Sequence, residues 1–147
     1  MTDDKKKSLM ELTEREAAEF DKMAVILNAK HDALSKLNTG MVRQILVEEL
    51  EELKCIQAVE KERAGVLKEL SLSGKDLNSR AVLENKLGAE DSKVFMSLHA
   101  SLKKSLARVI SLNGISRSLL KHSLAFIKQN INILTEGGKR KLVDRRA

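Results

Sequence analysis

The side chains that most often carry out chemistry are few and far apart in this chain. Its three histidines, His31, His99 and His122, are more than twenty residues from one another. They have no Ser-His-Asp arrangement, no paired metal-ligand spacing and no glycine-rich phosphate loop around them. Gly137-Gly138-Lys139 lacks the rest of a P-loop. We therefore predict no catalytic residue and no cofactor, and we do not expect an enzyme.

An acidic run in the first half of the chain is the other candidate for chemistry. Glu48, Glu49, Glu51 and Glu52 lie close together, but no histidine is near them. We expect them to face water on a helix and to bind no metal. Cys55 is the single cysteine, which excludes an internal disulfide and a cysteine-based zinc site. We interpret it as an ordinary small residue of a helix.

The composition indicates that helices position these residues. The chain has 147 residues, of which 33% are charged, and it contains no Pro, Trp or Tyr. Leu, Lys, Glu, Ala and Ser dominate, which favours helices over a β-sandwich or a small α/β enzyme. The length suits one domain or one elongated unit. We predict an all-α fold: an elongated antiparallel helical hairpin or bundle of long helices, with coiled-coil-like packing and a short connecting helix.

Turn and capping signals divide the chain into four helices. They are predicted at residues 13–37, 40–71, 76–87 and 91–136, within a single helical domain at 1–138. The run from Thr13 to Glu16 has the form of a capping box, so residues 1–12 are expected to be frayed or irregular. Asn38 or Thr39 is expected to cap the second helix. The alternative is that residues 14–71 form one continuous helical rod.

Glycines and short polar residues mark the later boundaries. We expect Gly74 to end the second helix in a left-handed conformation and Gly88 to end the short one. Asp91 and Ser92 are expected to cap the last helix. On the first two helices we expect apolar faces at helical spacing. They comprise Phe20, Met23, Leu27, Leu34, Leu37 and Met41, and then Leu46, Leu50, Leu53, Ile56, Val59, Val66, Leu67 and Leu70.

The last helix has an unusually wide apolar face beyond Asn113-Gly114, where a kink is one expectation. Two apolar stripes and small polar residues cover about half of its circumference. Two apolar stripes imply that the last helix packs against two different surfaces. They suit either a three-helix core with this helix in the centre or a groove for a partner. The residues that we predict to contact a partner are Leu112, Asn113, Ile115, Ser116, Leu119, Leu120, Ser123, Phe126, Ile127, Asn130 and Ile133.

Charge is distributed unevenly along the chain. Residues 101–147 hold 11 basic and 2 acidic residues, and residues 139–147 form a basic C-terminal tail. Such an end suits a partner-facing surface. A helical coiled-coil interaction protein or a nucleic-acid-binding protein therefore stays an alternative, as does a membrane-surface helix at 115–134. Because Tyr and Trp are absent, we expect no nucleic acid to be bound by base stacking. No segment suits stable membrane insertion, and no signal peptide is recognisable, so we expect a cytoplasmic protein.

Several segments resemble the FlgN-type flagellar export chaperones. The stretch from Leu112 to Ile127 is similar to the family's Asn-x-x-Asn-x-x-Leu-Leu-x-x-Ser-Leu-x-Phe-Ile pattern, with Ser116 at the second Asn. Further similarity lies at Ala33-Leu34 with Asn38-Thr39-Gly40, at Glu48-Glu49-Leu50, at Glu60 to Arg63 with Leu67, and in the closing residues 142–147. Many members have a Tyr shortly after the last helix, and this chain has none.

The resemblance implies a type III secretion chaperone of flagellum assembly. Such a protein binds the C-terminal segment of the hook–filament junction proteins (FlgK and FlgL type). It keeps them unassembled and delivers them to the flagellar type III export apparatus. The implied partners are therefore the hook-associated proteins and the export gate, while a weak homo-oligomer stays open. Nothing in the resemblance implies a cofactor.

Overall fold

A computed structural model describes the backbone of residues 2–136 and the side chains of residues 3–115. Within that part of the chain the fold is all-α, as predicted. The helices are α1 (Thr2–Ser35), α2 (Thr39–Glu69), α3 (Arg80–Leu87) and α4 (Ala89–Glu136), and a 3₁₀ turn at Asp76–Asn78 precedes α3. The predicted C-terminal tail at 139–147 lies outside the described residues.

The first helix begins at Thr2, so the predicted start at Thr13 is wrong. Thr13 lies inside α1, and its hydroxyl donates to the carbonyl of Leu9 at 2.7 Å instead of capping a helix. Leu9 is fully buried and Leu12 is nearly so. Burial of these two leucines against the rest of the bundle stabilises the first turns of α1, which a local capping pattern does not register.

A tight turn separates α1 from α2, which excludes the single rod over 14–71. Leu37 adopts a positive φ of 53°, and the side chain of Asn38 accepts a hydrogen bond from the backbone N–H of Met41 at 3.1 Å. Asn38 is therefore the N-cap of α2, and it is one of the two residues predicted for that position. The chain reverses direction here and α2 returns alongside α1.

The connection from α2 to α4 departs from the prediction at two places. The positive φ after α2 belongs to Ser71 (58°), and Gly74 is not in the left-handed region. Gly88 ends α3 with a φ of 94°, as expected, but α4 begins at the next residue. Ser92 therefore lies inside α4, where it is buried and its hydroxyl donates to the carbonyl of Ala89. The helix then continues without a break through Asn113-Gly114.

Helix α1 packs extensively against both α2 and α4. It runs antiparallel to α2, since Lys30 contacts Glu49 while Arg63 contacts Thr13. It runs parallel to α4, because His31 contacts Leu112 near the far end of the bundle while Leu9 and Phe95 share a core cluster at the near end. For the described residues, the alternative with the last helix in the centre is wrong, because α1 holds that position.

Two apolar clusters stabilise the bundle at different levels. The first joins Leu9 of α1 to the connecting segment and to α4, and it comprises Leu9, Leu70, Leu72, Leu83, Leu87 and Phe95. The second lies between the three long helices, where Met23, Leu27 and Ile56 are buried and Phe20, Val109 and Leu112 pack against them. Within residues 2–136, no helix is both long enough and apolar enough to cross a membrane.

Candidate partner-docking surface

A buried polar cluster joins the three long helices at a level between the two apolar clusters. Arg63 of α2 donates from Nε to the hydroxyl of Thr13 at 3.1 Å. One of its terminal nitrogens lies 3.5 Å from a carboxylate oxygen of Glu16, and the other lies 3.3 Å from Nδ1 of His99 on α4. The side chains of Arg63 and Glu16 are only 11% and 5% exposed. Arg63 therefore fixes the position of α2 against both of its neighbours.

The protonation states in this cluster follow from the geometry. Arginine can only donate, so Nδ1 of His99 accepts and carries no proton. Burial, and then the charges of Arg63 and Lys103, lower the pKa of His99 to about 4. Its ring also stacks on that of Phe95 at a centroid distance of 5.6 Å. Burial raises the pKa of Glu16, and the charge of Arg63 opposes that effect. The cluster is a structural contact between helices.

Toward the α1–α2 turn, α2 and α4 separate and leave a groove over α1. Its volume is about 340 Å³. The floor is formed by Met23 and Leu27 of α1, and the walls belong to α2 and α4. The lining residues of the two walls are Leu46, Glu49, Leu50 and Leu53 on α2, and Val109 and Asn113 on α4. The groove is largely apolar, and the Arg63–His99 contact lies beyond one end of it.

The leucines on the α2 wall belong to the apolar face predicted for the second helix, but the other helices do not cover them. Leu46, Leu50 and Leu53 are 43%, 59% and 46% exposed. The core-facing residues of this half of α2 are instead Ile45 and Ile56. At about 100° per residue, Leu53, Leu46 and Leu50 lie roughly 60°, 80° and 120° around the helix from Ile56, all on the same side of it. The three leucines therefore form a separate apolar wall toward solvent.

Two polar contacts connect the walls of the groove to α1, at the end of the groove near the α1–α2 turn. The ammonium of Lys30 on α1 lies 3.0 Å from a carboxylate oxygen of Glu49 on α2, and both side chains are mostly buried. His31 on α1 donates from Nε2 to the backbone carbonyl of Leu112 on α4 at 2.7 Å, since a carbonyl can only accept. The expectation that Glu49 faces water is therefore wrong, and each wall of the groove is joined to α1.

The structure describes the side chains of three of the predicted partner-contacting residues, and they lie in different places. Leu112 is half-buried and packs against the second core cluster. Asn113 lines the groove. Ile115 is 47% exposed, and residues two apart on a helix point to opposite sides, so it faces away from Asn113. Only Asn113 among these three belongs to the groove.

The other predicted partner-contacting residues lie in the part of α4 whose side chains are outside the described region. Their backbone is helical. They are Ser116, Leu119, Leu120, Ser123, Phe126, Ile127, Asn130 and Ile133. Helix α1 ends at Ser35, four residues beyond the His31–Leu112 contact, whereas α4 continues to Glu136. These residues therefore belong to a segment of α4 that runs past the end of α1.

A second polar group lies on the outer side of the hairpin. One carboxylate oxygen each of Glu19 and Glu52 and the thiol of Cys55 lie within 4.8 Å of one another. Glu52 was expected to face water, but it is only partly exposed, and burial together with Glu19 raises its pKa to about 7. One oxygen of each carboxyl group is buried without a partner if both are ionised. A proton held by Glu52 supplies the missing hydrogen bond to Glu19, whose pKa is lowered by it.

The described residues thus combine a helical bundle with an exposed apolar groove and no evident catalytic arrangement. An exposed apolar groove of this size is a candidate docking surface, which suggests the class of helical binding proteins. The model of the FlgN protein family matches residues 1–143, and the chain belongs to that family, the flagellar export chaperones. No curated protein and no solved structure was found to match the chain.

Proposed function

We propose that this chaperone is cytoplasmic and binds the C-terminal segment of hook–filament junction proteins of the FlgK and FlgL type. By holding that segment it keeps these proteins unassembled and delivers them to the flagellar type III export gate. The match to the FlgN family over residues 1–143 is the observation that carries this proposal. The exposed apolar surface beside α4 supports it, because a chaperone of this kind needs a place where a partner segment folds.

The energetics suit temporary binding. A partner segment that becomes helical on an apolar surface gains about 25 cal/mol for each Å² of apolar area buried. The loss of its conformational freedom offsets much of this gain. The resulting moderate affinity allows the client to be released at the export gate.

A binding assay with purified FlgK- and FlgL-type proteins, with and without their C-terminal segments, tests the client assignment. We expect binding by the complete proteins and none by the truncated ones. Equal binding of both forms would remove the C-terminal segment from the proposal, and no binding of either would remove these clients.

Substitutions in α4 test the predicted partner-contacting residues. Leu119→Asp and Phe126→Asp should each weaken client binding by at least tenfold, since a charge replaces a buried apolar side chain. Ser118→Asp is the matched control, because residue 118 falls outside the predicted apolar arc. Circular dichroism verifies folding. Unchanged client affinity in folded Leu119→Asp and Phe126→Asp variants would show that the client binds elsewhere.

A further inference from the structure

A second cavity lies between the 3₁₀ turn and α4, away from the groove. Its volume is about 250 Å³. The apolar part of its wall comes from Leu77, Met96 and Ala100, and the polar part from Asn78, His99 and Lys103. No Asp or Glu is among these lining residues. On α4 the cavity precedes the groove by about ten residues, or about 15 Å along the helix, so the two sites are separate.

The ring of His99 offers a hydrogen-bond donor to this cavity. Its Nδ1 accepts from Arg63 at 3.3 Å, so the proton of the neutral ring is on Nε2. Nε2 has no hydrogen-bond partner among the described residues, and it is not one of the buried unpartnered atoms there. Because His99 lines the cavity and Nδ1 is engaged by α2, the Nε2–H group is what the ring presents to a ligand.

Asn78 and Lys103 add further donors. The ammonium of Lys103 donates one of its three hydrogens to the amide oxygen of Asn78 at 2.7 Å. The other two ammonium hydrogens and the NH₂ group of the amide stay available. The amide oxygen is the one strong acceptor among the side chains that line the cavity, and Lys103 already engages it. The polar part of the wall is therefore complementary to a ligand that accepts hydrogen bonds.

The charge at this cavity is positive. Besides burial, the charges of Arg63 and Lys103 lower the pKa of His99, and both are positive. Arg63 is paired with Glu16, whereas Lys103 forms no ion pair with another of the described residues. Asp76 belongs to the same 3₁₀ turn, but its carboxylate accepts from a backbone N–H of its own loop at 2.8 Å. Lys103 therefore supplies one uncompensated positive charge beside neutral donors.

We propose that this cavity binds a carboxylate group carried on a short apolar chain, as in a glutamate side chain or the C-terminal residue of a partner polypeptide. The carboxylate accepts from His99 and from the ammonium of Lys103, while the alkyl part contacts Leu77 and Met96. A single positive charge suits a singly charged carboxylate better than a doubly charged phosphate. This inference goes beyond the proposed function and does not depend on which clients the chaperone holds.

The test uses the full chain and NMR spectroscopy of the His99 ring at pH 7, where the ring is neutral because its pKa lies at about 4. Butyrate is compared with butyramide, which has a similar shape and no charge. We expect butyrate to shift the ring signals saturably and to bind at least tenfold more tightly than butyramide. N-acetylleucine and the α-amide of N-acetylglutamate then show whether a chain terminus or an acidic side chain is the better source of the carboxylate.

Matched variants locate the binding. Lys103→Gln should weaken butyrate binding about tenfold, because it removes the charge. Lys104→Gln is the control, since Lys104 is the neighbouring exposed lysine and does not line the cavity. Asn78→Asp should also weaken binding about tenfold, because its carboxylate competes for the ammonium of Lys103. All three positions are exposed, so none of these changes disturbs the core, and circular dichroism verifies folding.

Several results would overturn the inference. They are equal affinity for butyrate and butyramide, equal losses in Lys103→Gln and Lys104→Gln, or tighter binding of inorganic phosphate than of butyrate. Binding of neither N-acetylleucine nor the glutamate derivative would overturn it as well. Failure of hook–filament junction proteins to bind would remove the proposed clients and leave this inference standing, because butyrate binding is measured without them.

Discussion

Replacing Glu52 by Gln should make the protein more stable at pH 8, although it removes a charged residue from a polar pair. The pKa of Glu52 lies at about 7 because burial and the neighbouring Glu19 disfavour its charge. In the unfolded chain its pKa returns to about 4.5. A group whose pKa is higher in the folded state stabilises the fold at low pH, and this contribution is lost as the pH rises from about 4.5 through about 7.

The size of this effect follows from the two pKa values. Each unit of pKa corresponds to about 1.4 kcal/mol, so a change from 4.5 to about 7 would amount to about 3.4 kcal/mol if it acted in full. Glu52 is partly exposed, and solvent screening reduces the expected loss to about 1 kcal/mol. The side-chain amide that Glu52→Gln introduces keeps a donor toward Glu19 at every pH, so the variant avoids this loss.

The assay is urea unfolding of the wild type and of Glu52→Gln at pH 5 and pH 8. We expect similar free energies of unfolding at pH 5 and a variant about 1 kcal/mol more stable at pH 8. His99 acts in the opposite direction, because its lowered pKa of about 4 makes stability rise with pH up to about 6.5. Both proteins share that contribution, so their difference cancels it. Glu51→Gln, at an exposed neighbouring position, is the control.

An equal difference between wild type and variant at both pH values would refute the reasoning. It would mean that Glu52 is ionised in the folded protein across this range. The same pH-dependent gain in Glu51→Gln would also refute it, because a general reduction of negative charge would then account for the effect.

Two further predictions concern the core. Leu9→Ala should lower the free energy of unfolding by about 3 kcal/mol in urea unfolding, since Leu9 is fully buried; a loss below about 0.5 kcal/mol would show that the start of α1 is frayed. Arg63→Met should cost about 3 kcal/mol because it leaves the carboxyl group of Glu16 buried without its cation, and adding Glu16→Gln to it should restore part of that loss. No recovery in the double variant would contradict the role of the ion pair.

The sequence predicted the helices well and their packing less well. Periodicity and the Asn38 and Gly88 signals located the four helices, because these features depend on residues close in the chain. The start of α1 was wrong, because burial of Leu9 against the far end of the bundle outweighs a local capping pattern. Contacts between distant residues decide such boundaries.

The groove was not predicted from the sequence for the same reason, because it too depends on contacts between distant residues. Leu46, Leu50 and Leu53 have the spacing of core residues in an amphipathic helix. The sequence pattern shows that a helix face is apolar, but it does not show whether another helix covers that face. The exposure of these leucines depends on how far α2 and α4 separate, which residues on two other helices determine. The polar contacts of Arg63 with Thr13 and His99 gave no comparable signal, because they join positions 50 and 36 residues apart.

The parallel course of α1 and α4 has a consequence for the order of folding. Contacts between α1 and α2 join residues as few as 19 positions apart, whereas the His31–Leu112 contact spans 81 positions. Short loops close at a lower entropic cost, so we expect the α1–α2 hairpin to form first and α4 to dock later. During synthesis, the side of α1 that later meets α4 therefore stays uncovered until most of the chain has left the ribosome.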